Sequence, residues 1–460
     1  TRTRTQMLAD ERQVDLTLLQ KGSYPVMMDT LLASLESKPG AFSCAAKRLR
    51  MPQFCPNGAR VRDYQWQLVD KLFRRSGFVV SPCGSGKTLI GCLIGVLNGG
   101  RFLVLTTRYA QQWKETLETF FTPSHSGVHI VVADRDAPCL KEGLPTVVIA
   151  TYSAFCTSNE RYRIFKQMVY DTILLDEMHT AAAKTHLSLI RGLHSVYACG
   201  LTATKVREDD ELKHLESEFG RDAVHAEVDR QTLVDAGFVA NVRVVHLVVP
   251  HGTCNDLLKT LESKVGKTRL LGLHPHKIQV LYSAIKRLCA EKHKIIVFCD
   301  DLFGLDWIAR IAAANRVPFV GEISMRTPTE ARLEILKRFT EEAAPKVIFM
   351  SRTGDEALDL PNASASIVFW NNWGSRRQIV QRIGRLARPS KELDPIFLVI
   401  LLDQPNELQT SKRREDYLTA HGFKLTSHPQ ATSIYGVNSL KDGTVYMKQL
   451  LKAWRDHQKK

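Results

Sequence analysis

From Val61 onward one pattern repeats: apolar runs of strand length alternate with segments of helical periodicity. Strands are expected at Phe78–Val80, Phe102–Leu105, Val147–Ala150, Thr172–Leu175 and Tyr197–Cys199, with helices over Thr88–Leu97 and Tyr109–Phe120. The runs are uniformly apolar, which suits a parallel sheet covered on both faces, with each helix serving as a crossover. The pattern fades over 210–290 and then resumes. Ile295–Cys299, Phe319–Val320, Val347–Met350, Ser366–Phe369 and Ile396–Leu401 form a second set of expected strands, with helices near Leu305–Ala314, Thr329–Thr340 and Ser375–Leu386. The 460 residues suggest two or three domains, at roughly 150 residues each. Two tandem α/β domains, 56–240 and 241–426, are the simplest account. They are flanked by a mostly helical extension, 1–55, in which no chemistry is legible, and by a basic tail, 427–460.

The segment Ser81-Pro-Cys-Gly-Ser-Gly-Lys-Thr88 leaves the first strand and opens a helix. That is the setting of a phosphate-binding loop. Pro82, Cys83, Gly84, Ser85 and Gly86 form the cradle; the glycines let backbone N–H groups turn toward phosphate oxygens, and the helix N-terminus adds favourable partial charge. Lys87 would reach the β- and γ-phosphates, and the Thr88 hydroxyl would ligate Mg²⁺. Ser81 stands where the usual pattern begins with glycine.

About 90 residues on, an apolar strand ends in Asp176-Glu177. Taken alone, two acids after a strand are also common as a solvated turn. At the carboxyl edge of a sheet that carries a phosphate loop, Asp176 suits Mg²⁺, which takes few protein ligands, and Glu177 suits polarisation of the attacking water. Farther along, Gln381, Arg385 and Arg388 are spaced to fall on one helical face. Such a row either stabilises charge on a transferred phosphoryl group or is a solvated basic face.

Composition excludes several classes. Hydrophobic residues are 44% and charged residues 24%, values typical of globular domains and not of disordered or collagen-like chains. The longest apolar runs, near Leu89–Leu97 and Ile396–Leu402, are far shorter than the ~18 residues of a membrane span, so no membrane partner is expected. The ten cysteines never occur as C-x-x-C, so neither a zinc site nor an iron–sulfur cluster nor a disulfide scaffold is expected. The net charge of +15 points to a polyanionic partner or simply to a basic surface. His274-Pro-His276 is not a metal site on spacing. Trp370-Asn-Asn-Trp373 suits packing better than base stacking, and Lys412-Arg413-Arg414 suits a solvated face. The chain starts at Thr1, so a missing N-terminal segment is expected.

Taken together, the motifs resemble those of superfamily 2 helicases, in which two tandem RecA-like parallel-sheet domains hold an ATP cleft between them. Arg62-x-Tyr64-Gln65 resembles the adenine-reading Q motif, Ala150-Thr151-Tyr152-Ser153 motif Ib, and Gly200-Leu-Thr202-Ala-Thr204 motif III. Arg207-Glu208-Asp209 matches the R-E-D signature of the xeroderma pigmentosum complementation group B (XPB) helicases. Gly354-Asp355 lies in a stretch resembling their motif V, and Gly374-Ser-Arg-Arg-Gln378 leads into motif VI. The resemblance runs from about 58 to 426.

What the resemblance implies is an ATP- and Mg²⁺-dependent 3′→5′ translocase and helicase on duplex and single-stranded DNA. It implies a nuclear location and transcription factor IIH-like partners, in transcription initiation and nucleotide excision repair. It places Arg62 and Gln65 at adenine, makes Arg385 and Arg388 arginine fingers, and assigns Thr151, Thr202, Thr204, Arg207, Glu208 and Asp209 to nucleic-acid coupling. An RNA-dependent ATPase or a catalytically weak scaffold paralogue are the alternatives. Family members carry a damage-recognition-like domain before the first motor domain; the residues before 58 are too few for it, which implies a shortened or reduced relative. A thumb-like insertion is expected at 250–276.

Overall fold

The computed structural model describes residues 61–99, 101–107, 110–121, 128–136, 146–181, 183–203, 219, 223–250, 264–341, 344, 346–351, 363–370, 376–386, 393–428 and 443–458. The 1–55 extension and residues 251–263 of the expected insertion lie outside them. The chain divides into two compact units between Asp229 and Arg230.

The first unit is a seven-stranded parallel sheet. Its strands are β1 (Gly77–Val80), β2 (Arg101–Thr106), β3 (His129–Val132), β4 (Thr146–Thr151), β5 (Val169–Asp176), β6 (His194–Thr202) and β7 (Val224–Glu227), in the order β3-β4-β2-β5-β6-β1-β7. The central strands β2, β4 and β5 are buried along nearly their whole length because both of their faces are covered. Leu103, Leu105, Val148, Ile173 and Leu175 pack on one face against Tyr152, Phe155, Phe165, Met178 and Ile190. The other face receives the Lys87–Asn98 helix, which is buried nearly all round. Gly91 and Gly95 let it sit that close. A Cβ on Gly95 would stand 2.5 Å from the Phe102 ring, and one on Gly91 would stand 2.5 Å from the Trp113 ring and 2.7 Å from Leu201.

The second unit repeats the architecture. Its strands are β8 (Arg243–Val249), β9 (Ile295–Cys299), β10 (Phe319–Ile323), β11 (Val347–Met350), β12 (Ala365–Trp370), β13 (Ile396–Leu402) and β14 (Leu425–His428), all parallel, in the order β10-β11-β9-β12-β13-β8-β14. Four strands were not expected from sequence. β3, β7 and β14 are short sheet edges, where the apolar signal is weakest. β8 lies inside the sheet, but its apolar run is interrupted by the buried His246, whose Nδ1 lies 2.7 Å from Glu415 Oε1. Arg230 belongs to this unit: it donates to the Ala240 carbonyl at 2.8 Å and stacks over Phe423 at 4.2 Å.

Part of the expected basic tail is core. The Thr444–Gln458 helix buries Met447, Leu450, Leu451 and Trp454 against the second sheet's helices. Its Tyr446 hydroxyl donates to the Leu273 carbonyl at 3.1 Å and accepts from Trp307 Nε1 at 2.7 Å. Its apolar residues recur at helical spacing, which the surrounding lysines and arginines mask in composition. Trp370 is buried, as packing requires. His274 caps the Pro275–Ala290 helix through Nδ1, and His276 Nδ1 lies 2.8 Å from the Pro250 carbonyl. In the basic triplet, Lys412 is exposed and pairs with Asp416, whereas Arg414 is buried. Among the described residues no helix is long and apolar enough to cross a membrane.

The Gly91 contact predicts that Gly91→Val lowers stability by about 1–3 kcal/mol through overpacking. Denaturant unfolding with a probe in the first unit measures it.

Candidate nucleotide site

The site grows from parallel register. Val80, the last residue of β1, pairs with Thr202 at the end of β6, and Leu201 of β6 pairs with Asp176 at the end of β5. Thr106 and Thr151 end β2 and β4 opposite one another. All these strand ends therefore share one carboxyl edge, where parallel α/β sheets bind ligands.

The phosphate loop continues from β1. Ser81 N–H donates to the Thr202 carbonyl at 3.0 Å, extending the ladder by one bond. The chain then turns through Gly84 and Gly86, with φ of 82° and 79°, in the left-handed region that glycine enters at little cost. Gly84 and Gly86 are exposed, while Ser81 and Ser85 are buried and joined by a 2.6 Å bond between their hydroxyls. Lys87 lies over the loop, its Nζ donating to the Ser81 and Pro82 carbonyls at 3.2 and 3.4 Å. Pro82, Cys83 and Thr88 are half-buried around it.

The Asp63–Leu72 helix braces this loop. Gln65 Nε2 donates to the Ser85 carbonyl at 3.0 Å, and the Tyr64 hydroxyl donates to the same oxygen. Gln65 Oε1 accepts the Arg62 N–H at 2.9 Å. The sequence reading gave Gln65 a ligand-facing role. In the structure it is 4% exposed and both ends of its amide serve the protein. Tyr64, the neighbouring residue of the Arg62-x-Tyr64-Gln65 motif, does the same work.

Asp176 is 9% exposed. Its Oδ2 accepts Thr106 Oγ1–H at 2.9 Å and Trp113 Nε1–H at 3.0 Å, while Oδ1 accepts the Glu177 N–H at 3.0 Å. Glu177 has φ 48°, a left-handed conformation that is costly for a residue with a side chain and is found at functional sites. Its Oε2 lies 3.4 Å from His179 Nδ1. The Tyr152 hydroxyl donates to the Asp176 carbonyl at 3.0 Å. Burial raises the Tyr152 pKa, and the Asp176 and Glu177 charges raise it further; Cys92 is raised by burial and then by Asp176. Among the described residues no cluster of three or more His, Cys, Asp or Glu could hold a metal. Asp176 with the Thr88 hydroxyl nonetheless fits Mg²⁺, which keeps most of its waters and takes one or two carboxylates.

Thr151 caps the Tyr152–Phe155 helix, accepting Ala154 N–H at 3.2 Å. Thr202 is fully buried. Thr204, Arg207, Glu208, Asp209, Gly354, Asp355 and Arg388 lie outside the described residues. In the second unit the Arg376–Gly384 helix carries half-buried Gln381. The helix stops at Gly384, short of the expected Leu386. Arg385 and Leu386 follow it in a tightened last turn, their N–H groups donating to the Arg382 and Ile383 carbonyls. Arg382, which sequence reasoning passed over, is 0% exposed, ion-paired to Asp300 and stacked over Phe298 at 4.3 Å.

Solved structures share this architecture. The Pyrococcus furiosus Hef helicase domain matches with a TM-score of 0.53 and 14% identity over 76% of this chain and 98% of that one. A Saccharomyces cerevisiae Dbp5 variant bound to RNA and ADP–BeF3 matches with a TM-score of 0.57 and 12% identity over 90% and 97%. The fold is therefore the two-unit RecA-like core of helicases, an α/β class built around a phosphate loop.

Residues 233–454 match the family model "ERCC3/RAD25/XPB C-terminal helicase", and residues 59–207 match "Type III restriction enzyme, res subunit". Curated relatives named as XPB helicase/translocase subunits of factor IIH include one from Enterocytozoon bieneusi, 30% identical over 79% of this chain and 62% of its own length. Another is from Saccharomyces cerevisiae, 30% identical over 80% of this chain and 45% of its own length. Over residues 233–454 the chain is thus similar to the XPB C-terminal helicase family, and it spans about half the length of these relatives.

Gln65→Leu removes a donor to Ser85 and an acceptor for Arg62 at once. It is expected to weaken ADP binding about tenfold, in line with the ~1–3 kcal/mol cost of stranding buried polar groups; calorimetric titration reads the change.

Proposed function

We propose that this chain is an ATP-driven DNA translocase and helicase of the XPB type, working 3′→5′. The observation that carries the reading is that β1, which leads into the loop and the helix opening with Lys87 and Thr88, and β5, which ends at Asp176 with Glu177 next, share one carboxyl edge of a parallel sheet with β6 between them, in a chain whose residues 233–454 match the XPB C-terminal helicase model. Lys87 leaves the Ser81 and Pro82 carbonyls to hold the β- and γ-phosphates, with the Pro82–Gly86 backbone around them. Arg62 and Gln65 border the adenine. Thr88 and Asp176 hold Mg²⁺, which when bound neutralises charge on the phosphate oxygens. Glu177 orients the attacking water. Gln381, Arg385 and Arg388, with Gly354 and Asp355, serve the nucleotide, the two arginines countering charge on the transferred phosphoryl group. Thr151, Thr202, Thr204, Arg207, Glu208 and Asp209 link ATP state to the nucleic acid.

The relatives' names support DNA and factor IIH-like subunits as partners, and with them a nuclear location. A grip on backbone phosphates carries no base sequence information, which is what a motor needs.

The test is ATPase rate with no nucleic acid, with duplex or single-stranded DNA, and with RNA. DNA should stimulate turnover, and Glu177→Gln should bind ATP yet lose turnover. Duplex affinity should fall with salt at a log–log slope near −0.9 per phosphate contacted. Greater stimulation by RNA would shift the reading to an RNA-dependent ATPase, and parent-rate hydrolysis by Glu177→Gln would remove Glu177 from its role.

A further inference from the structure

Asp176 is held by more donors than a strand-end acid needs. A carboxylate oxygen offers about two lone-pair sites. On Oδ2 both are occupied, by Thr106 Oγ1–H and Trp113 Nε1–H, whereas Oδ1 receives the Glu177 N–H and keeps one. Both Oδ2 donors are fully buried, so water does not substitute for them. They come from one stretch of chain: Thr106 ends β2, and Trp113 lies in the first turn of the Ala110–Phe120 helix. Neither donor is loosely placed. Thr106 is paired in register with Thr151. The Trp113 ring occupies the space that side chains on Gly91 would fill, which ties it to the same helix that begins with Lys87.

We propose that Thr106 and Trp113 are positioning residues for the divalent cation. By saturating Oδ2 they fix the Asp176 rotamer and leave Oδ1 as the oxygen that accepts the metal, so Asp176 binds through one oxygen. The inference rests on the nucleotide-hydrolysis reading above and deepens it. The competing account is that the two bonds only fasten the Ala110–Phe120 helix to the sheet. That account predicts a loss of stability with no change in metal affinity.

The experiment uses the full chain with Thr106→Val, Trp113→Phe and Thr106→Ser. Thr106→Val removes one donor and keeps the shape; Trp113→Phe removes the other together with part of the indole, so its loss of packing is read separately in the thermal midpoint; Thr106→Ser keeps the hydroxyl. Three quantities are read: affinity for a fluorescent ADP with and without Mg²⁺, Mn²⁺ binding in the presence of ADP by electron paramagnetic resonance, and thermal midpoint. The Val and Phe variants should weaken metal binding about 10–100-fold, the usual cost of removing a hydrogen bond that orients a metal ligand. Their Mg²⁺-free ADP affinity should be unchanged, and Thr106→Ser should restore metal affinity. In turnover, the Mg²⁺ concentration for half-maximal rate should rise at unaltered saturating rate.

Unchanged metal affinity in folded Thr106→Val and Trp113→Phe overturns the proposal, and so does failure of both to fold, since the bonds then serve the fold alone. A parent protein that gains no ADP affinity from Mg²⁺ overturns the hydrolysis reading itself. That failure is distinct because it shows in the unsubstituted chain.

Discussion

In-register parallel pairing of β5, β6 and β1 is the constraint on which the site depends. Neighbouring strands stand about 4.8 Å apart, so the Asp176 backbone and the end of β1 are separated by two strand spacings, roughly 10 Å. That gap suits a phosphate between a loop and an acid. A slip of one residue would turn Asp176 to the opposite face and bury Leu175 on the wrong one. The register is held because both faces are committed: Leu103, Ile173 and Leu175 pack on one side, while Phe102 meets the Gly95 side of the Lys87–Asn98 helix on the other. The apolar core thus sets the chemistry's geometry without touching a ligand.

Three residues on this edge take left-handed backbone. Gly84, Gly86 and Glu177 all have positive φ, and each stands beside reinforcement. Gln65 and Tyr64 fix the Ser85 carbonyl between the two glycines, and Glu177 N–H is tied to Asp176 Oδ1. A Cβ on Gly86 would stand 2.6 Å from Gln65 Nε2, so the brace and the glycine require each other. The loop is held in shape by a helix that precedes it by some 20 residues, which ties the geometry of the loop to the segment from Arg62.

That division also separates what was legible in sequence from what was not. The ten expected strands, the phosphate loop and the two acids are contiguous signals, each contained in a few residues, and the family resemblance rests on them. Thr106 and Trp113 reach Asp176 across 70 and 63 positions, and Asp300 meets Arg382 across 82; such pairs have no local signature. β8 was hidden because His246 interrupts its apolar run, although that imidazole is buried against Glu415 and Ser411. The Thr444–Gln458 helix was hidden by composition, since its apolar stripe carries lysines and arginines on the other side.

Burial also bears on the charge excess. Arg382 with Asp300 and Lys277 with Glu407 are nearly removed from solvent, but each pair withdraws one charge of each sign and leaves the net of +15 unchanged. Arg414 is different. It is buried, and its guanidinium pKa is lowered first by burial and then by the Arg382 charge, while Asp300 and Glu407 oppose the shift. That is a cation spent on the fold of the second unit and not on a partner. Withdrawing ion pairs concentrates the positive excess on the surface, where it raises the association rate with polyanions and is screened within about 8–10 Å at ordinary ionic strength. Such a surface favours backbone contact at any sequence.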